Sequence, residues 1–188
     1  MRILSVNVGR PREHEWRGER YTTSVFKSPV AGRVGLRPNN LEGDAQANLE
    51  VHGGEEKAVY AYPVEMYPWW CARLGVGHLP WGALGENLTV AGGDDADVYI
   101  GDVYRIGTAE VRVTKPRLPC RMLALRLDCE HAERLFLESG RSGYYMAVAR
   151  PGRLGAGDEA VLLHREPSAE AVAEVFRQRT DAAGDPRE

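Results

Sequence analysis

Residues 103–121 read VYRIGTAEVRVTKPRLPCR, and this stretch decides which fold the rest of the sequence is expected to form. Its two apolar runs, Val103–Ile106 and Ala109–Thr114, are separated only by Gly107-Thr108, a spacing typical of a tight β-hairpin. In the second run, valines alternate with polar residues, so the strand has one apolar face and one polar face. The stretch therefore predicts two antiparallel strands that cover part of a core and end in a proline-rich loop.

The remainder of the chain shows the same pattern of short strands separated by turns. Its 21 glycines and 11 prolines fall between short runs rich in Val, Ile, Tyr and Thr, as in strands separated by turns. Besides the hairpin, we expect strands at Ile3–Val8, Thr22–Phe26, Gly32–Leu36, Ala58–Tyr62, Asn87–Val90, Tyr144–Ala149 and Glu159–His164. Such a strand density predicts a mostly β protein, built as a closed or nearly closed β-barrel with a few peripheral helices.

Three segments have the pattern of helices. Val64–Leu74 and Glu130–Ser139 are each followed by a glycine that ends the helix, and Asp128 is a candidate N-cap for the second. Ser168–Arg179 carries apolar residues at helical spacing, and we expect the tail after Thr180 to be disordered. We expect two parts of the chain: a main domain over residues 1–165, then a short helix and tail over residues 166–188.

Composition limits the classes of partner. A net charge of −3 over 188 residues gives no general attraction to nucleic acid polymers, so an anionic ligand needs a local group of Arg and Lys. The apolar run at residues 1–9 is too short for a secretory signal, and no run approaches the roughly 20 residues that span a bilayer. Three cysteines without a CxxC pair favour reduced thiols. We expect a soluble, cytoplasmic protein that does not bind membranes.

The loop that follows the hairpin is the most informative part of the sequence for chemistry. Two prolines stiffen it, and it presents Cys120 among the cations Lys115, Arg117 and Arg121. Nearby cations favour thiolate, the form of cysteine that binds metals or attacks as a nucleophile. The guanidinium groups could also clamp a phosphate. The alternative is a buried structural cysteine with solvated charges beside it.

Other polar stretches have a plain interpretation as well as a functional one. The segment 42–59 contains His52 and Lys57 and is either a solvated loop or a place where glycines let backbone approach a ligand. In the same way Asn87 and Arg141 lie in turn-like segments that could place an amide or a guanidinium on a ligand. Cys71 and Cys129 lie in apolar or acidic surroundings, and we expect both to be structural.

Taken together, these stretches resemble the MOSC domain family, named after the C-terminal domain of molybdenum cofactor sulfurase, and within it the YiiM-like bacterial branch. The matching stretches, in order, are Gly43-Asp44-x-Gln46-Ala47, His52-Gly53-Gly54-x-x-Lys57-Ala58-Val59, Gly85-Glu86-Asn87-Leu88-Thr89, Gly101-Asp102-x-Tyr104-x-x-Gly107, Pro116-Arg117-x-Pro119-Cys120, Gly143-Tyr144-Tyr145 and Gly157-Asp158. The chain departs from the branch at Asn48, where Asp is usual, and in a shorter helical extension after the domain.

The resemblance implies a MOSC-type β-barrel that binds the molybdenum cofactor, with Cys120 as the molybdenum ligand and catalytic centre. The residues it suggests as cofactor contacts are Arg117, Arg121, Lys57, His52, Asn87 and Arg141. Related MOSC proteins reduce N-hydroxylated compounds, and YiiM-like proteins are linked to detoxification of N-hydroxylated bases. Because the sequence shows no flavin, haem or iron–sulfur motif, electrons would come from a separate reductase.

Two other functions fit an exposed thiol at Cys120 equally well at this point. The residue could carry a persulfide and transfer sulfur without binding molybdenum. Alternatively, the chain could store or deliver the cofactor without catalysis. All three interpretations need the same thiol, so the sequence does not choose among them.

Overall fold

The structure, a computed structural model, describes residues 1–45 and 54–182. Within these ranges the strands are β1 Arg2–Val8, β2 Arg12–Trp16, β3 Glu19–Thr23, β4 Ser28–Pro29, β5 Arg33–Leu36, β6 Val59–Pro63, β7 Leu88–Ala91, β8 Val103–Ile106, β9 Ala109–Pro116, β10 Tyr144–Arg150, β11 Gly152–Gly155 and β12 Ala160–His164. The α-helices are α1 Tyr67–Leu74, α2 Arg121–Leu127, α3 Ala132–Ser139 and α4 Val172–Ala182. Predictions that concern His52, Asn48 or the end of the tail lie outside the described residues.

Eight strands form the main sheet, in the order β12-β8-β9-β10-β6-β7-β1-β4. Neighbours are antiparallel except β6 and β7, which run parallel and bring Ala61 opposite Leu88. The hairpin predicted over β8 and β9 is confirmed, with Ile106 paired to Ala109. Val111 and Val113 are fully buried. The alternation along β9 therefore marks the core face of the sheet correctly.

The prediction of a mostly β protein with few helices is confirmed, but a closed barrel is not detected among the described residues. The sheet ends at β12 on one side and at β4 on the other, and these two strands do not pair. An isolated bridge between Arg2 and Glu159, with backbone hydrogen bonds between residues 1–3 and 157–160, connects the start of β1 with the segment before β12. Strand β4 is only two residues long and ends in Pro29, which has no N–H to donate, so it cannot extend the pairing.

A second hairpin, β2–β3, was only partly anticipated. A strand was expected at Thr22–Phe26, but β3 ends at Thr23 and pairs with β2 along its whole length. The connecting turn places Arg17 at φ 53° and Gly18 at φ 78°, as a two-residue hairpin turn requires. Both strands are largely exposed and polar, so they lack the apolar alternation by which strands are recognised.

The helices differ from expectation mainly around Asp128. The chain forms a helix, α2, directly after the proline loop, and Asp128 is the left-handed residue that ends it, with φ 49°. It is therefore not the N-cap of α3, which begins at Ala132. Helix α4 begins at Val172, because residues 170–172 first pair with residues 98–100, and it continues past Thr180. Within the described ranges, none of the helices has the length and apolarity needed to cross a bilayer.

The core has two parts. One is formed by aliphatic side chains of the sheet, including Ile3, Val111 and Val113. The other joins the helices to the outer side of the sheet around Trp70, Phe136 and Phe176, which are almost completely buried. The segment between α3 and β10 crosses from one part to the other, so its backbone geometry is tightly constrained.

Gly143 and Gly140 provide a matched test of that constraint. Both have positive φ, 61° and 64°, but a Cβ on Gly143 would lie 2.4 Å from the Ala61 carbonyl oxygen, whereas one on Gly140 meets nothing within 4 Å. We expect Gly140→Ala to cost about 1 kcal/mol through backbone strain alone. Gly143→Ala should cost roughly 1–3 kcal/mol more because of the steric overlap. Urea unfolding of both variants measures this, and equal losses of stability would contradict the packing described.

Candidate functional site

A cavity of about 280 Å³ opens where the end of the β2–β3 hairpin faces the two loops that precede β7 and α2. Its lining residues are Thr22, Thr23, Ser24, Val25, Lys27, Asp44, Lys57, Tyr60, Gly85, Asn87, Arg117, Cys120, Met122 and Tyr145. The cavity thus combines one thiol, three cations, one carboxylate and two tyrosines. Several stretches predicted from separate parts of the sequence meet here.

Cys120 is half-buried and lines the cavity at the first residue before α2. Its backbone is extended, with φ −147°, and its carbonyl accepts a hydrogen bond of 2.8 Å from the Leu123 N–H. The helix therefore fixes the backbone of Cys120 while the side chain remains on the cavity surface. Neither Cys71 nor Cys129 lines this cavity, and Cys129 packs against the helical part of the core.

Arg117 is a buried cation at the cavity wall, with only 5% of its surface exposed. Its guanidinium donates to the Leu84 carbonyl and lies 4.7 Å from the ring centroid of Tyr60 and 5.7 Å from that of Phe136. Among residues 1–45 and 54–182, no carboxylate forms an ion pair with it. Burial raises the pKa of Tyr60 well above its ordinary value, so that hydroxyl is neutral at pH 7 and gives no counter-charge.

Glu86 fixes the loop that holds Arg117. This carboxylate is fully buried and accepts hydrogen bonds from the Gly82 and Leu84 N–H groups at 2.7 and 3.0 Å. It also accepts from the hydroxyls of Tyr67 and Thr89. Burial raises the pKa of Glu86. The Leu84 N–H bonds to Glu86 while the Leu84 carbonyl bonds to Arg117, so one short turn connects a buried acid with a buried base.

Lys27 and Asp44 form a second charged group at the cavity wall. The Lys27 Nζ lies 2.6 Å from Asp44 Oδ1, and both side chains are more than 90% buried. Burial lowers the pKa of Lys27, and the neighbouring Asp44 opposes that effect. Asp44 also accepts from the Gly9 N–H at 2.7 Å and from the Asn87 side-chain amide at 2.9 Å. The side-chain amide of Asn87 therefore already has a hydrogen-bond partner within the protein, although Asn87 lines the cavity.

Of the other predicted contacts, Lys57 lines the cavity with its Nζ 6.0 Å from the ring centroid of Tyr145. Arg121 does not line it. Its side chain turns to the β2–β3 hairpin, where Nε donates to the Tyr21 hydroxyl at 2.8 Å and Nη2 lies 3.6 Å from Glu19. The structure therefore brings Lys57, Asn87, Arg117 and Cys120 to one surface and directs Arg121 elsewhere.

Arg141 also lies away from the cavity, paired with Asp94. The next acid, Asp95, is buried and braces the same loop: its Oδ2 accepts from the Ser142 and Gly143 N–H groups at 2.7 and 3.0 Å. The Ser142 carbonyl in turn accepts from the Tyr60 hydroxyl at 2.7 Å. The segment that carries Arg141 thus contacts the cavity wall indirectly, through the hydrogen bond between Ser142 and Tyr60.

Among the charged and aromatic residues of the cavity, four were not identified individually from the sequence. Asp44 and Tyr145 lie within stretches that matched the family, so position within those motifs was an available signal. Tyr60 and Lys27 carried none: each is a single residue in a short apolar run, and its importance comes from burial that only the fold creates.

Comparison with known proteins shows to which family the chain belongs. The family model for the MOSC domain matches residues 48–161. The chain belongs to the MOSC domain family. YflK of Bacillus subtilis is 41% identical over 163 residues, which span 87% of this chain and 73% of that protein. As a MOSC protein, the chain is associated with molybdenum-cofactor chemistry.

Two further matches are a solved structure and a fungal protein. The crystal structure of YiiM from Geobacillus stearothermophilus has a TM-score of 0.80 and 32% identity, and the match covers 98% of this chain and 86% of that one. A protein of Gibberella moniliformis named "Reductase" is 33% identical over 178 residues. That match covers 93% of this chain but only 31% of the fungal protein.

Asp95, which accepts hydrogen bonds from the loop behind the cavity, should make the stability of the protein depend on pH. Burial raises the pKa of Asp95 to about 6, from an ordinary value of 3.8. Between these values the folded protein keeps a proton that the unfolded chain has lost, so the free energy of unfolding should fall as pH rises through this window. The loss should be roughly 1–3 kcal/mol relative to Asp95→Asn, which has no carboxyl group to titrate. Urea unfolding at pH 4 and pH 6.5 measures it, and parallel pH profiles would contradict the assignment.

Proposed function

We propose that the chain is a molybdenum-cofactor-dependent oxidoreductase that reduces N-hydroxylated compounds, such as N-hydroxylated nucleobases, with Cys120 as the molybdenum ligand. The observation that carries the proposal is the pairing of a thiol with a buried guanidinium that has no carboxylate partner among the described residues. Both line a single cavity. An anionic ligand that also contains a thiophilic metal satisfies both groups at once.

The donor set fits a metal–pterin cofactor. Thiolate is a soft ligand suited to redox metals, and a cofactor that brings its own sulfur ligands needs only one from the protein. Arg117 has the planar donor geometry that binds phosphate with two parallel hydrogen bonds, and Lys57 adds a cation at the same wall. Lys27 is neutralised by Asp44, so we assign it to shaping the wall and holding Asn87 in place. When bound, the cofactor supplies the redox chemistry.

The chain's own residues would bind the cofactor, orient it and enclose it. The rings of Tyr60 and Tyr145 lie 5.3 Å apart between their centroids and form an apolar wall next to Arg117. Burial raises the pKa of Tyr145, so its hydroxyl stays protonated at neutral pH and can donate a hydrogen bond into the cavity. Apolar walls lower the local dielectric and so strengthen the electrostatic attraction between Arg117 and an anion.

We further propose that electrons come from a separate reductase. The relative from Gibberella moniliformis carries the name "Reductase", and this chain corresponds to less than a third of its length. A protein with that name therefore combines a segment similar to this chain with much additional sequence. An activity that the fungal protein holds in one polypeptide would be divided here between this chain and its donor.

The central prediction of the proposal concerns the thiol. Cys120→Ser should abolish reduction of an N-hydroxylated base, because a hydroxyl is a harder and far less acidic donor than a thiol. The fold should be retained, with a stability cost of roughly 1 kcal/mol or less, because the change is nearly isosteric at a loop position. Bound pterin should partly survive through Arg117 and Lys57. A reductase-coupled assay, with molybdenum and pterin quantified in each preparation, measures all three effects.

Cys71→Ser and Cys129→Ser are the matched controls, because each removes one thiol that does not line the cavity. Both should keep activity near that of the wild type. Full activity in Cys120→Ser would overturn the proposal. Sulfur transfer by wild-type protein that holds no molybdenum, together with its loss in Cys120→Ser, would favour the persulfide carrier.

A further inference from the structure

A second cavity, of about 290 Å³, lies on the other side of the segment that carries Lys27. The chain alternates between the two cavities along this segment: Val25 and Lys27 line the first, and Phe26 and Ser28 line the second. Gly9 also lines the second cavity, while its N–H donates to Asp44 in the wall of the first. A single backbone segment therefore separates the two cavities.

The second cavity is basic. Arg10, Arg12 and His14 line it, and their spacing of two residues places Arg12 and His14 on the same face of strand β2. The acids of that strand, Glu13 and Glu15, take the alternate positions, so they point away from this face. Within residues 1–45 and 54–182, neither Arg10 nor Arg12 is paired with a carboxylate. Two guanidinium groups thus lie at one concave surface with no carboxylate partner in the part of the chain that the structure describes.

His14 adds a polar atom that needs a partner. Its Nε2 is buried and makes no hydrogen bond to any described residue. The imidazole cannot easily turn away, because it stacks on Phe26 with ring centroids 4.0 Å apart and an angle of 20° between the planes. A buried ring nitrogen without a partner costs about 1–3 kcal/mol. This nitrogen has almost no solvent-accessible surface, so a ligand in the cavity would contact other atoms of His14 and the two arginines.

We propose that the second cavity binds a phosphate group. A phosphate offers several oxygens in different directions, which suits two guanidinium groups better than a planar carboxylate does. Gly43 at the cavity surface has no side chain to obstruct an anion. The phosphate could be inorganic or part of a phosphate monoester such as a nucleotide. The site needs no molybdenum, so it does not depend on the function proposed for the first cavity.

The test is a titration of the full chain, followed by NMR of the His14 imidazole. Inorganic phosphate, adenosine 5′-monophosphate and adenosine are the three ligands. We expect saturable shifts with the first two and none with adenosine. Tighter binding of the monophosphate than of phosphate would identify a nucleotide as the source, and equal binding would identify the free anion. Both results support a phosphate site.

Variants separate this site from the first cavity. The double change Arg10→Gln and Arg12→Gln should weaken phosphate binding at least about tenfold, since each charge-assisted contact is worth at least that factor. Both residues are exposed, so the fold should survive. Arg105→Gln, an exposed arginine elsewhere on the sheet, should bind normally, as should Lys57→Gln and Cys120→Ser. No saturable shift at millimolar phosphate, or equal binding by the double variant, would overturn the proposal even if the first cavity holds its cofactor.

Discussion

The buried positive charge of Arg117 is the constraint around which the site is built. Burying a charge without an opposite charge is costly, and among the described residues one carbonyl and two aromatic rings, with no carboxylate, offset that cost. Each of these partners belongs to a different part of the chain: the turn before β7, strand β6 and helix α3. The guanidinium therefore holds three elements together while its charge remains available to a ligand.

The acids close to the cavity are used in other ways. Glu86 accepts hydrogen bonds from backbone N–H groups and hydroxyls. Asp44 pairs with Lys27 and accepts hydrogen bonds from Gly9 and Asn87. Both fix the geometry of the walls, and neither forms an ion pair with Arg117. An arrangement of this kind lowers stability in the absence of ligand and favours an anion when one is present, as expected for residues selected for binding. The second cavity also has two arginines at its surface, Arg10 and Arg12, which form no ion pair with a described carboxylate but are exposed.

The sequence allowed the elements with strong apolar alternation to be predicted, and missed those without it. Strand β9 was placed correctly because burial of Val111 and Val113 follows directly from their spacing. The polar hairpin β2–β3 was largely missed, although it supplies one wall of the site. Arg121 shows a second limit. It follows Cys120 directly, but helix α2 rotates its side chain toward Tyr21, and no local pattern shows that rotation.

Bound pterin per chain, measured in Arg117→Gln and Arg121→Gln produced in a host that makes the cofactor, tests the central claim most directly. Glutamine at position 117 keeps an amide that can donate to the Leu84 carbonyl but removes the buried charge, so the fold should be retained. Arg121 is the matched control, since it neighbours Cys120 in sequence but pairs with Tyr21 and Glu19 outside the cavity. The account predicts that Arg117→Gln loses most of its pterin and that Arg121→Gln retains it. Wild-type pterin content in folded Arg117→Gln would contradict the account.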